Sequence, residues 1–182
     1  MNARQRGHGG FTLVELLVTL TVTALLMALA APTFRTLLLK RAVQAAADAL
    51  VGDLRLARSE AVKRSTTVSV CSSVDGASCG NGAAWQGGWI VFVDADGDGS
   101  LDADDTILRV QDAWRAVASI ASANPGNDRP YFVFQATGLA RAATQTFIIT
   151  PTGQAAADLT RLVCVSSQGR AALRVSGSVS CG

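Results

Sequence analysis

Apolar and polar positions divide this chain into three stretches. From Phe11 to Ala31, 21 residues carry a single charge, Glu15, which is about the length a helix needs to cross the hydrocarbon core of a bilayer. From Val43 the pattern becomes periodic. Val43, Ala47, Leu50, Leu54, Ala57 and Ala61 recur at alternating steps of four and three, with Gln44, Asp48, Arg55, Ser59 and Lys63 on the opposite side, which predicts an amphipathic helix. Pro32 lacks a backbone donor and is expected to kink the helix without ending it. One helix is therefore predicted from about Phe11 to Arg64, roughly 80 Å long at 1.5 Å per residue. Its first half suits a membrane and its second half the spine of a domain. Beyond Ser65 the period shortens: TTVSVC, GWIVFV, TILRVQ, YFVFQ, QTFIIT and RLVCVS read as strands, separated by turn segments such as NPGNDRP and TPTGQ. Short connections between many strands predict a mainly antiparallel sheet segregated from the helix, an α+β fold.

Glu15 is the residue this pattern does not explain. A carboxylate at bilayer depth costs on the order of 3 kcal/mol or more, so it normally has a partner. A secretory signal would have a shorter apolar core, although ALAAP at positions 28–32 resembles its cleavage site. A plain membrane anchor leaves Glu15 without a purpose. The nearest downstream cation, Arg35, lies about five turns away, and Arg4 and Arg6 precede the Gly9–Gly10 pair. A cut after Gly10 would create an amine on Phe11, one turn from Glu15. That amine could satisfy Glu15 in its own chain or in a neighbour, where a buried charge can fix register.

The short basic leader ending in Gly10, followed by FTLVELLVTLTV with Glu15 as the fifth residue after the cut, resembles the signal of type IV pilins and type II secretion pseudopilins. WQGGWIVFVDADGDGSLDADDTILRV, FVFQATGLARAATQTFII and SSQGRAALRVS are similar to the GspH/FimT class of minor pilins and pseudopilins. The resemblance implies cleavage after Gly10 by a prepilin peptidase, N-methylation of Phe11, and Glu15 pairing with the Phe11 amine of an adjacent subunit. It further implies a low-copy subunit that initiates or caps a type IV pilus or type II secretion pseudopilus, with other pilins as partners and a head of two β-sheets on the long helix. The expected organisation is a leader over 1–10, a transmembrane and assembly helix over 11–39, and a periplasmic head over 40–182, held at first in the inner membrane.

Composition narrows the chemistry. The net charge is +2 from 16 basic and 14 acidic residues. Losing Arg4 and Arg6 with the leader leaves 14 against 14, so bulk charge favours no nucleic-acid partner. His8 is the sole histidine and falls in the leader, which removes imidazole-based nucleophile systems and metal sites from the mature chain. No catalytic residue is expected. Arg4 and Arg6 favour a cytoplasmic amino end, but Arg35, Lys40 and Arg41 flank the other side, so charge alone leaves orientation open. The four cysteines, Cys71, Cys79, Cys164 and Cys181, all follow the apolar segment, contain no CxxC, and suit disulfides in an oxidising compartment. Of three connectivities, proximity in sequence selects Cys71–Cys79 and Cys164–Cys181.

Two clusters suggest ligands. In DADGDGSLDADD, the residues Asp94, Asp96, Asp98, Gly99, Ser100, Asp102 and Asp105 occupy positions 1, 3, 5, 6, 7, 9 and 12 of an EF-hand-type loop, a set of hard oxygen ligands suited to calcium. Strand-like flanks and Asp at the last position depart from that motif, and a solvated acidic turn is the competing reading. Near the end, Arg161, Arg170 and Arg174 gather. If residues 171–175 form a strand, Arg170 and Arg174 share a face. Some FimT-type members are receptors for DNA uptake in natural transformation through Gly-Arg-x-Arg, which gives the alternative role; here the stretch is Gly169-Arg170-Ala171-Ala172-Leu173-Arg174, with the second arginine displaced by two. Few arginines and no interleaved aromatics favour solvated side chains over DNA contacts. Trp85 and Trp89 are expected in the core.

Overall fold

The computed structural model describes residues 11–80, 82, 84–123, 129–141, 144–153 and 159–175. Helix α1 spans Leu13–Arg64. It starts two residues later than the hydrophobic pattern suggested, because Thr12 caps it from outside. By compactness the chain divides after Leu37. In the first unit, residues 11–31 and 33–37 are all exposed, and α1 is long and apolar enough there to cross a membrane. An apolar helix exposed on every side is a lipid-facing or partner-facing segment.

The second unit begins at Leu38. There the expected stripe faces inward: Val43, Ala47, Leu50, Leu54, Ala57 and Ala61 are fully buried, joined by Ala46 and Val51. The opposite side is less uniformly polar than expected. Gln44 is half-buried because its Oε1 accepts a hydrogen bond from Arg161 Nε at 3.0 Å. The helix stops where Ser65 turns to φ 52°. Ser65 N–H then donates to the Val62 carbonyl at 3.3 Å and Thr66 N–H to Ala61 at 3.2 Å, the double closure of a Schellman motif.

Eight strands follow: β1 (Val68–Ser72), β2 (Trp89–Val93), β3 (Thr106–Gln111), β4 (Val117–Ser122), β5 (Tyr131–Phe134), β6 (Gln145–Pro151), β7 (Arg161–Val165) and β8 (Ala171–Val175). They form two antiparallel four-stranded sheets, β3-β2-β1-β5 and β4-β6-β7-β8. The α+β architecture follows from this. β1 is central in its sheet and buried at all five positions, whereas the edge strand β3 is largely exposed. The stripe on α1 and the inward residues of both sheets, including Val70, Phe132, Phe134, Phe147, Ile149 and Val163, form one core. Trp85 and Trp89 are both fully buried. Trp85 meets Phe147 edge-on at 5.3 Å, and its indole N–H reaches the Arg129 carbonyl at 3.1 Å.

Cys71 on β1 is disulfide-bonded to Cys79, closing the loop after that strand. Cys164 on β7 is also disulfide-bonded. Cys181, its partner in the sequence reading, lies outside the described residues, as does Gly10.

Candidate functional site

The first turn of α1 sets the surroundings of Glu15. Thr12 Oγ1 accepts a hydrogen bond from the Glu15 N–H at 3.2 Å, and Glu15 Oε2 accepts one from the Thr12 N–H at 3.4 Å. This reciprocal pair is a capping box, Thr-x-x-Glu, and it satisfies two backbone donors that a helix start leaves open. The carboxylate also sits at the positive end of the helix dipole. The pattern was present in the sequence as Thr12-Leu13-Val14-Glu15, so Thr12 is the functional residue that reading the chain for charge partners overlooked. Phe11, immediately before the cap, is exposed.

The acidic loop between β2 and β3 is organised by its own carboxylates. Asp94 is buried. Its Oδ1 accepts from Gly97 N–H at 2.6 Å, while its Oδ2 accepts from Ser69 Oγ at 2.5 Å and Gly99 N–H at 3.1 Å. Burial raises its pKa against the lowering effect of these donors. Asp96 accepts from Asp98 N–H, Asp98 from Ser100 N–H, and Asp105 from the N–H groups of Ala95 and Asp102. Asp94, Asp96 and Asp98 can each bring an oxygen within 4.8 Å of the others, whereas Asp102 and Asp105 do not join that group. The spacing in sequence suggested a wrapped set of six ligands; the strand-flanked loop gathers three carboxylates. Desolvation and the neighbouring acids raise the pKa of Asp102, and the Arg141 guanidinium donates to the Gly97 carbonyl. The loop can therefore hold its shape by Asx-type turns and one in-chain cation.

The three carboxy-terminal arginines separate. Arg161 is buried and held by Gln44 and the Thr160 carbonyl, which removes it from any surface contact. Arg174 is exposed on β8. Arg170 lies in the β7–β8 turn and lines a groove of about 780 Å³ together with Arg55, Arg58, Ser59, Val62 and Lys63 of α1 and Gly169, Ala171 and Ala172. The cationic surface at this end is thus built from α1 and the turn, and α1 contributes residues that the end of the sequence could not indicate.

Comparisons with known proteins agree with one another. The family model for type II transport protein GspH matches residues 46–169, and the prokaryotic N-terminal methylation motif matches residues 5–31. The type IV minor pilin FimU of Pseudomonas aeruginosa is similar at 27% identity and TM-score 0.58, over 76% of this chain and 95% of that one. The minor pseudopilin EpsH from the type 2 secretion system of Vibrio cholerae shares the fold, at 16% identity and TM-score 0.51, over 75% of this chain and 98% of that one. No curated protein matches in sequence.

Proposed function

Because this chain belongs to the GspH family, a GspH/FimT-type minor pilin carrying the N-terminal methylation motif, we propose that it initiates or caps a type IV pilus or type II secretion pseudopilus fibre. Prepilin peptidase removes residues 1–10, Phe11 is methylated, and α1 moves from the inner membrane into a bundle of like helices with the head on the periplasmic side. The observation that supports this reading is a carboxylate in the first turn of α1, at the head of its exposed apolar stretch and inside the matched methylation motif of residues 5–31. An exposed helix of this kind needs lipid first and neighbouring helices afterwards. In the bundle, Glu15 pairs with the Phe11 amine of an adjacent subunit and fixes the axial stagger. Lateral packing of Leu and Val side chains supplies cohesion. The work is polymerisation, consistent with a family and structural neighbours that are fibre subunits rather than enzymes.

Glu15→Ala is the test. Cleavage after Gly10, read by mass spectrometry, should proceed as in the wild type, while the variant should be missing from sheared fibres. Wild-type amounts of it in fibres would refute the pairing. Of the two arginines that suggested an alternative role in DNA uptake, Arg170 lines the basic groove and Arg174 does not, so the pair does not act as one site.

A further inference from the structure

The groove between the end of α1 and the β7–β8 turn lies wholly within the unit from Leu38 onward, apart from the exposed apolar stretch of α1. Its floor is Val62, Ala171, Ala172 and the aliphatic stems of its cations; Arg55, Arg58, Lys63 and Arg170 supply positive charge. Two of these cations are engaged. Arg55 donates through Nε and Nη2 to the Ala171 carbonyl at 3.3 and 3.1 Å, and Lys63 pairs with Glu60 at 3.3 Å. The other two differ: among the described residues, the Arg58 and Arg170 guanidinium groups have no hydrogen-bond or ion-pair partner. Arg58 is half-buried and lies so close to Gly138 and Gly169 that a Cβ on either would come within 3.2 to 3.3 Å of its Nε. A half-buried, positioned guanidinium without an acceptor is a site for an anionic group.

The second wall is a sheet edge. β8 is the last strand of its sheet and pairs with β7 alone among the described strands. The Arg170 carbonyl accepts from Ser166 N–H on the β7 side, and the Ala171 carbonyl points to Arg55 on α1. Alternation along the strand then directs the peptide groups of Ala171 and Leu173 away from β7. Among the described residues, no bond other than that of the Ala171 carbonyl occupies this side of β8, and an edge so left is a template for one more strand. From the unpaired arginines and the open edge together, we infer that this groove docks an extended acidic peptide segment of another protein, added along β8 with its carboxylates on Arg58 and Arg170. Strand addition beside a helix, with the backbone giving affinity and side groups giving selectivity, is an established recognition mode. A peptide fits better than a nucleic acid, because a phosphodiester chain cannot match the row of edge amides and no aromatic side chain lines the groove for bases to stack on. The inference does not depend on the proposed fibre assembly, since the groove is lined entirely by residues of the unit from Leu38 onward.

The experiment uses the full-length protein in detergent micelles and a fluorescein-labelled peptide of alternating valine and glutamate, read by anisotropy. Three probes accompany it: the same peptide with lysine for glutamate, the same peptide N-methylated at alternate residues, and a short single-stranded DNA. The glutamate peptide should bind saturably, more weakly as salt rises, and about tenfold more weakly to R58A/R170A. N-methylation should abolish binding by removing the backbone donors. If R58A/R170A melts early, Arg170→Glu, at an exposed turn position, should reject the glutamate peptide by charge alone. Absence of saturable binding, equal binding of the lysine peptide, or insensitivity to either arginine change would overturn the inference. So would displacement by the DNA with a matching dependence on both arginines, which would make the groove a phosphate site.

Discussion

Asp53 shows most clearly what single residues contribute here. It lies on the inward side of α1, 2% exposed, and its two oxygens accept from the Trp89 indole N–H and from Arg109 Nη1, both at 2.8 Å. Asp53→Ala leaves a buried indole N–H without an acceptor, so unfolding free energy should fall by about 2 kcal/mol. Asp53→Asn, which keeps an acceptor for Trp89, should lose less, and chemical denaturation of the two variants reads the difference. Asp75 is the opposite kind of acid, exposed and held by donors. Ser78 Oγ and the N–H groups of Ala77 and Ser78 lower its pKa strongly. A lowered folded value means its stabilisation is complete above the ordinary 3.8 and fades as pH drops below that toward the folded value. The melting-temperature gap between wild type and Asp75→Ala should therefore be constant near neutrality and close in strong acid. The partners of Asp53 could not be read in the sequence, because it meets Trp89 and Arg109 only after a helix and two strands have packed. The Thr12–Glu15 cap was legible, being local.

Among the elements, legibility followed the strength of the local pattern. The stripe on α1 is apolar at helical spacing over five turns of sequence, and burial follows it residue by residue. TILRVQ became β3 with its predicted bounds, since its β-branched residues lie between turn signals. VASIAS gave no such signal: Ala and Ser are poor strand formers, and β4 exists because β6 offers it a ladder and Val117 and Ile120 reach the core. The carboxyl end of α1 falls at Arg64 as expected, but the means of stopping it was not foreseen. A serine at positive φ stands where glycine is usual, so Ser65→Gly should raise stability by about 1 kcal/mol without altering the closure at Ala61 and Val62. Thermal melts measure that gain.

At the scale of the molecule, the core lies wholly in the unit from Leu38 onward. Residues 38–182 expressed alone should give a cooperative melt and a monomer by sedimentation, whereas the intact chain should require detergent. Aggregation of the fragment would show that the apolar half of α1 contributes to the fold of the head. In the fibre proposed above, the capping box has a consequence for how readily a joint forms. Glu15 Oε2 accepts from the Thr12 N–H of its own chain, and a carboxylate has lone pairs for further donors. An amine arriving from a neighbour would therefore meet an acceptor already held in place, and little side-chain freedom would be lost on contact.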